Sequence, residues 1–478
     1  MTTTISFRGI AAILAGLVTP ILVSAQVQAP AIEGAGSPIS QADRLYTGDQ
    51  SSNTITVIKP LTGDVLGTIS LGSSRLSDVI GPQYIHAVNS HGLGFSRDGK
   101  YIVSLSVTTN TVTVIRCVDN SIVSQTSVDR NSHEAFFAPD NRTVWVGTRG
   151  VDSVDIVDGL HGGLIDRIPT WGGPSKVLFS PDGETAFVNH IRSPSVSFID
   201  VRSRKVIYNL TGLADTFSSD MMLSADGLRL WVAHKMVGKV SIISTAKRRV
   251  VSVLETGPET NHPNFAMING TTHGFVTVAA LNLTKVYAQP DPDQPPQYVR
   301  SIQATGIEPH GLWPSPDNTH MYALNEHSDT VDFIDLASMT VEKTVRVGQE
   351  GQALIYVANA VPEGDGTQNL GRQGLTGLPV VNRLVQVRGS HSPNGTALVT
   401  VRTQNGLDMF QIIGRSLELN ATYTASAACL NCGGSRIPLV DFVASTPTTT
   451  GCGGAPQVLA FFRFNGVYDP NSIEIAMV

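Results

Sequence analysis

Charged, cysteine and aromatic side chains are all scarce in this sequence. Asp, Glu, Lys and Arg make up 15% of 478 residues, and 33 basic against 39 acidic residues leave a formal net charge of −6. There is no basic stripe of the kind that nucleic acid or an anionic membrane surface would need, so neither is expected as a partner. Four cysteines cannot form a disulfide framework. Cys429, Cys432 and Cys452 cluster near the C-terminus as disulfide candidates, with one bridge expected between Cys452 and a member of the "CLNC" pair. A zinc site would want a fourth ligand that this neighbourhood does not supply. Cys117 stands alone and reads as a small buried hydrophobe. The sequence also lacks a P-loop, a Gly-x-Ser-x-Gly elbow and a strand-associated Gly-x-Gly-x-x-Gly fingerprint, which removes the nucleotide, serine hydrolase and dinucleotide readings.

One apolar run stands out, "IAAILAGLVTPILV", preceded by a single arginine and followed by the small residues "VSA" ending at Ala25. It is short for a membrane anchor and contains Pro20, so residues 1–25 read as a secretory signal peptide. Sequons at Asn141, Asn209, Asn269, Asn282, Asn394 and Asn420 match a secreted glycoprotein. The expectation is a secreted monomer.

What the sequence does have is a repeat. "PHGLWPSPDN" from Pro309 returns as "SHGLGFSRDG" from Ser90, "SHEAFFAPDN" from Ser132 and "PSKVLFSPDG" from Pro174. Aligning these segments gives one recurrent position, occupied by His91, His133, Ser175, Ser219, His262, His310 and Gln352, at intervals of roughly 42 to 48 residues. Each unit carries four short alternating strands separated by turn residues, the pattern of a propeller blade. The first unit lacks an innermost strand, and "QALIYVAN" near residue 352 supplies one with no blade behind it. Joining the two closes the ring without an open edge. The fold class expected is therefore all-β: a seven-bladed β-propeller over residues 41–360, a Gly-rich linker at 361–380 and a small C-terminal all-β extension at 381–478.

The segments "LYTGDQSSNTITVI", "AFVNHIRSPSVSFID" and "YALNEHSDTVDFID" resemble the YVTN family of β-propeller repeats, related in shape to lactonase-like and quinoprotein propellers. The resemblance covers about two thirds of the chain and implies a fold, since propellers host many chemistries.

In such a blade the start of the innermost strand and the end of the second strand emerge on the same face. His91, His133, His262 and His310 fall at starts of inner strands, while His190 and His234 fall at ends of second strands in the two blades with serine at the inner position. His327 falls near the same level. Seven of twelve histidines thus map to one mouth, whereas His161, His320 and His391 fall elsewhere. Histidine clustered in a partly desolvated funnel can supply both a general acid and a general base. The inner four are the expected catalytic residues. His190, His234 and His327 are expected to shape substrate access, together with Glu308, Arg149, Arg192 and Lys235, which tune protonation and, through the cations, hold an oxyanion, and with Trp171 and Trp313 as apolar walls.

A sequon-rich propeller with a signal peptide and a C-terminal extension resembles, in architecture only, the fungal hetero-Diels–Alderases of tropolonic sesquiterpenoid pathways. That resemblance implies dehydration of a hydroxymethyl tropolone to a quinone methide and cycloaddition to a humulene-type alkene, with a small-molecule substrate and no cofactor or metal. Two alternatives stay open: a copper or iron oxidoreductase using the imidazoles as ligands, and a non-enzymatic secreted binding protein.

Overall fold

The structure is a computed structural model that describes residues 36–74, 86–371, 381–389, 394–404, 407–444, 458–462 and 468–478. The signal segment, Cys452 and His391 lie outside the described residues.

From Arg44 to Val357 the chain forms seven four-stranded antiparallel sheets. Six are continuous in sequence. The seventh combines Arg44–Asp49, Thr54–Lys59 and Asp64–Ser70 with Gly351–Val357, which pairs with the first of them through Leu45–Tyr356 and Thr47–Leu354. Successive inner strands touch in a closed cycle, from Gly92–Phe95 round to Gly351–Val357 and back. A ring closed by pairing early residues with late ones has no free edge to fray.

The blades repeat because their turns repeat. Ser96, Ser180, Ser224 and Ser315 each donate their hydroxyl to the aspartate two residues on, at 2.5–2.7 Å. The residue after that aspartate is left-handed at Gly183 and Asn318, with φ of 77° and 57°, a region that glycine and asparagine enter at least cost. Between these turns, second and third strands such as Thr143–Thr148 and Ser153–Asp158 are buried almost throughout, whereas outer strands such as Leu164–Pro169 are mostly exposed. Apolar burial is thus concentrated between blades.

Beyond the ring, Val381–Gln386, Thr396–Gln404, Leu407–Arg415 and Val458–Phe462 form one sheet, and Thr422–Cys429, Arg436–Val443 and Tyr468–Met477 a second. Val399, Phe410, Tyr423, Ala425 and Ile475 share one core, so the two sheets pack face to face. Cys429 is bonded to Cys432. This corrects the expected bridge to Cys452, because a three-residue turn already brings the two sulfurs together. Cys117 is free and buried, as its apolar context implied.

No helix among the described residues is long and apolar enough to cross a membrane.

Candidate functional site

Four of the recurrent positions stand where an inner strand departs from regular pairing. The register shifts between Ser132 and Glu134, Pro174 and Val177, Thr260 and Pro263, and Pro309 and Leu312. These irregularities bracket His133, Ser175, His262 and His310. Such a bulge re-aims side chains that a regular strand would send into the sheet. Space at the axis is limited: a Cβ on Gly92 would lie 2.9 Å from the carbonyl oxygen of His133 on the next blade.

The four inner histidines form two pairs. His91 and His133 have ring centroids 4.6 Å apart, and His262 and His310 4.5 Å apart. In the first pair every ring nitrogen is engaged. Arg149 Nε donates to Ser175 Oγ at 2.9 Å, and Ser175 Oγ lies 3.2 Å from His133 Nδ1. His133 Nε2 lies 2.9 Å from His91 Nε2, and His91 Nδ1 lies 2.5 Å from Gln50 Oε1. One assignment of protons satisfies every partner. The serine, accepting from arginine, donates to His133 Nδ1; His133 then donates from Nε2 to His91, and His91 from Nδ1 to Gln50.

The second pair keeps nitrogens in reserve. His310 Nδ1 donates to the carbonyl of Gln352 at 2.8 Å, leaving a lone pair on Nε2 that faces Glu326 Oε2 at 3.9 Å. His262 Nδ1 lies 3.4 Å from Asp220 Oδ2, a buried oxygen with no hydrogen-bond partner. At this distance the negative oxygen favours a proton on Nδ1 and leaves Nε2 as an acceptor. Burial, reinforced by the neighbouring cations, depresses all four imidazoles: His91 to about 3, and the others well below the ordinary histidine value. They are neutral bases at physiological pH.

Beneath them lies a small cleft that opens to solvent, lined by His91, His262 and His310 among others. Its apolar wall includes Phe136, Trp313, Leu312 and Met222, and Trp313 stands edge-on to Phe95 at 5.7 Å. Its polar wall contains Glu134 and Lys176. Lys176 Nζ bonds Asp220 Oδ1 at 2.6 Å and Glu134 Oε2 at 3.2 Å. Burial would lower the lysine, but the two carboxylates outweigh it and hold the ammonium charged. Burial pushes Glu134 up to about 7 despite Lys176, so this carboxyl keeps its proton close to neutrality.

Beside this cavity sits a denser ionic cluster. Glu308 receives His327 Nε2 at 3.3 Å, Arg415 Nη2 at 3.2 Å and Lys235 Nζ at 3.7 Å. Burial works against charge on both Glu308 and His327, yet their mutual attraction wins: Glu308 falls well below the carboxylate range and His327 rises to about 9. Glu326, raised by burial to about 7, accepts from the Gln352 amide. The ligating atoms of Glu308, Glu326 and His327 lie within 4.8 Å of one another, the spacing of a metal site. Lys235, Arg415 and the imidazolium all converge on Glu308, so the group is cation-rich as it stands, with His327 Nδ1 buried and without a hydrogen-bond partner.

Several expected site residues are placed otherwise. His190 and His234 are wholly buried and do not line the cavity; each ring turns into its own blade, with Nε2 2.8 Å from Ser197 Oγ and Ser241 Oγ. They hold blades together. His327 is likewise buried, not at the rim. Trp171 is 48% exposed and forms no wall, unlike Trp313. Arg192 is exposed and holds the Arg149 carbonyl and Asp152, each at 2.7 Å, while Arg149 anchors the serine–histidine chain. His161 and His320 lie away from the cavity, beside Asp158 and Glu342. Asn209 and Asn282 use their side-chain oxygens inside the fold, the latter on the Glu308 amide at 2.9 Å. Asn269, Asn394 and Asn420 are exposed.

The sequence reading missed Glu134, Lys176 and Asp220. A signal was present: each directly follows a recurrent position, where other blades carry Gly92, Pro263, Gly311 and Ala353. Charge at a place otherwise given to small or rigid residues marks a side chain with a task.

No known family model matches the chain. It is similar to the uncharacterized protein YncE of Salmonella typhimurium, 23% identical over 246 residues that span 42% of this chain and 68% of that one. Among solved structures it resembles hydrazine synthase of Kuenenia stuttgartiensis, with a TM-score of 0.52 at 20% identity over 67% of this chain and 99% of the other. A putative 6-phosphogluconolactonase of Bacteroides fragilis gives 0.53 at 12% over 67% and 100%, and the periplasmic gluconolactonase of Pseudomonas aeruginosa 0.50 at 16% over 66% and 99%. At these identities the structural likeness shows the fold alone: this chain is a β-propeller of lactonase-like shape, with a β-sandwich attached.

Proposed function

We propose that the cavity is an acid–base active site for a small conjugated hydroxy compound, and that its reaction is dehydration followed by cycloaddition. The observation carrying this reading is the presence, in one cavity, of a neutral imidazole oriented by a carboxylate and a carboxyl that keeps its proton to about neutral. Two titratable groups whose surroundings push them in opposite directions form an acid–base pair.

The resemblance to the hetero-Diels–Alderases supplies the substrate, a hydroxymethyl tropolone. His262 Nε2 takes the proton of the ring hydroxyl, and the electron pair passes through the conjugated ring. The C–O bond of the hydroxymethyl group breaks as Glu134 protonates the departing oxygen, releasing water and a quinone methide. Lys176 stays protonated throughout and faces the oxygen-bearing edge of the ring. The exocyclic carbon and the ring oxygen then bond to the two alkene carbons of a humulene-type partner, a step that moves no proton. Trp313 and Phe136 supply an apolar wall beside the reacting carbon. The imidazolium returns its proton to the Glu134 carboxylate through water.

A copper or iron reading is weakened by the commitment of both His91 and His133 nitrogens to hydrogen bonds, which leaves them no lone pair for a metal. Incubation of purified protein with a hydroxymethyl tropolone, with and without the alkene, tests the proposal. The expected outcome is faster water loss than in buffer and a single cycloadduct. Glu134→Gln should lower the rate roughly a hundredfold at pH 6 and abolish the decline in activity expected of the native protein as pH rises through about 7. Water loss no faster than in buffer, with rapid opening of a gluconolactone instead, would replace this reading with lactone hydrolysis.

A further inference from the structure

Three glutamates on this face break a local rule. Two residues before the recurrent position the backbone is left-handed, with φ of 55° at Asn131 and 66° at Gly173, residue types that accept it. The blades whose inner strands are Pro309–Pro314 and Gly351–Val357 carry glutamate there, Glu308 at 60° and Glu350 at 50°, and Glu259, three residues before His262, stands at 57°. Glutamate enters this conformation at a cost that glycine and asparagine avoid. For Glu259 and Glu308 a partner comes from the second domain. Arg415, the last residue of Leu407–Arg415, places Nη2 2.7 Å from Glu259 Oε2 and 3.2 Å from Glu308 Oε2. One guanidinium therefore clamps the loops that lead directly into His262 and His310.

We propose that Arg415 is a positioning residue for His262, which makes the C-terminal β-sandwich a working part of the propeller's site. The inference rests on the reading of His262 as the base. The two loops do not depend on Arg415 equally. Glu308 keeps His327 and Lys235 without it, and its backbone amide is held by Asn282. Glu259 is 8% exposed, and Arg415 is its closest cation. Loss of the guanidinium leaves a buried carboxylate that must take up a proton or turn towards water. Turning outwards drags the segment from Glu259 to His262 and moves the imidazole away from Asp220.

Hydrogen exchange and steady-state kinetics on the full chain test this together, using Arg415→Ala, Arg415→Lys and Arg415→Ala combined with Glu259→Gln. Arg415→Ala should speed exchange across 259–266 by about tenfold or more, with a smaller change across 307–314 and none across Thr422–Cys429, the check that the sandwich remains folded. Turnover should fall by about tenfold or more while KM moves less. Arg415→Lys should recover part of both, and the double variant should recover exchange protection because no buried charge is left unpaired. Unchanged exchange across 259–266 in Arg415→Ala overturns the proposal outright. Raised exchange with native turnover overturns the role of His262 as the base while leaving the clamp in place, so the two failures are distinguishable.

Discussion

The two histidine pairs occupy equivalent positions in the repeat and are built for different work. His91 and His133 are links in a closed hydrogen-bond chain from Arg149 to Gln50, with no nitrogen to spare. His262 and His310 each turn Nδ1 towards an acceptor; His262 Nε2 is left as an acceptor, and His310 Nε2 faces Glu326. The repeat alone makes all four look alike. What separates them is the next residue on the neighbouring blades: Ser175 and Arg149 saturate one side, whereas Asp220 and the Gln352 carbonyl support the other.

Substituting each pair in turn is the sharpest way to break this comparison. His262→Ala should cost at least about a hundredfold in turnover, the ordinary worth of a general base. His133→Ala, which removes a link that touches neither cavity nor substrate, should cost less than about tenfold and act mainly through KM or stability. Equal losses in the two variants, assayed as folded proteins on the same substrate, would erase the distinction.

Stability against pH sharpens it differently. The four neutral histidines have folded pKa values below 6.5, so their contribution is complete above that pH and is lost as the pH falls towards the folded values, about 3 for His91. His327 behaves oppositely: raised to about 9, it contributes fully below 6.5 and loses that contribution as the pH rises through 9. Thermal unfolding followed from about pH 5 to about pH 10 should therefore show a maximum near neutrality. His327→Gln should flatten the alkaline limb and leave the acid limb intact. A variant curve that stays parallel to the native one throughout would show that His327 is not the cation of its cluster.

The smallest effect belongs to the chain itself. Ser175→Ala removes one hydrogen bond at each end and should destabilise the protein by about 1–2 kcal/mol. His320→Ala, well away from the cavity, should stay within about 0.5 kcal/mol of native. Chemical denaturation resolves both.

Much of this site is legible in the sequence. The period and the Ser-x-Asp turns define the blades, and His91, His262 and His310, all at the recurrent position, line one cavity. The error over His190 and His234 has a specific origin. A place at the end of a second strand gives height along the blade but not the direction in which the ring turns, and successive strand residues face opposite sides. The sequence does hold a clue to that direction: both histidines precede a serine by seven residues, Ser197 and Ser241, in the same place on the third strand. An identical spacing in two blades marks an internal hydrogen bond rather than an opening to solvent.

The sequence by itself determined the ring, because turn chemistry and alternation are local and each blade needs only its own stretch of roughly 42 residues to specify them. It determined also which positions approach the axis. Tertiary structure decided which histidines are free, because a ring nitrogen's state depends on the atom opposite it. For His133 that atom is on Ser175, 42 residues away, and for His310 on Gln352, also 42 away. It decided the meeting of Arg415 with Glu308 and Glu259, separated by 107 and 156 residues. No periodicity within the ring foretells a partner from another domain; ion pairing at such separation is fixed only when two independently folded surfaces come into contact and bury the charges between them.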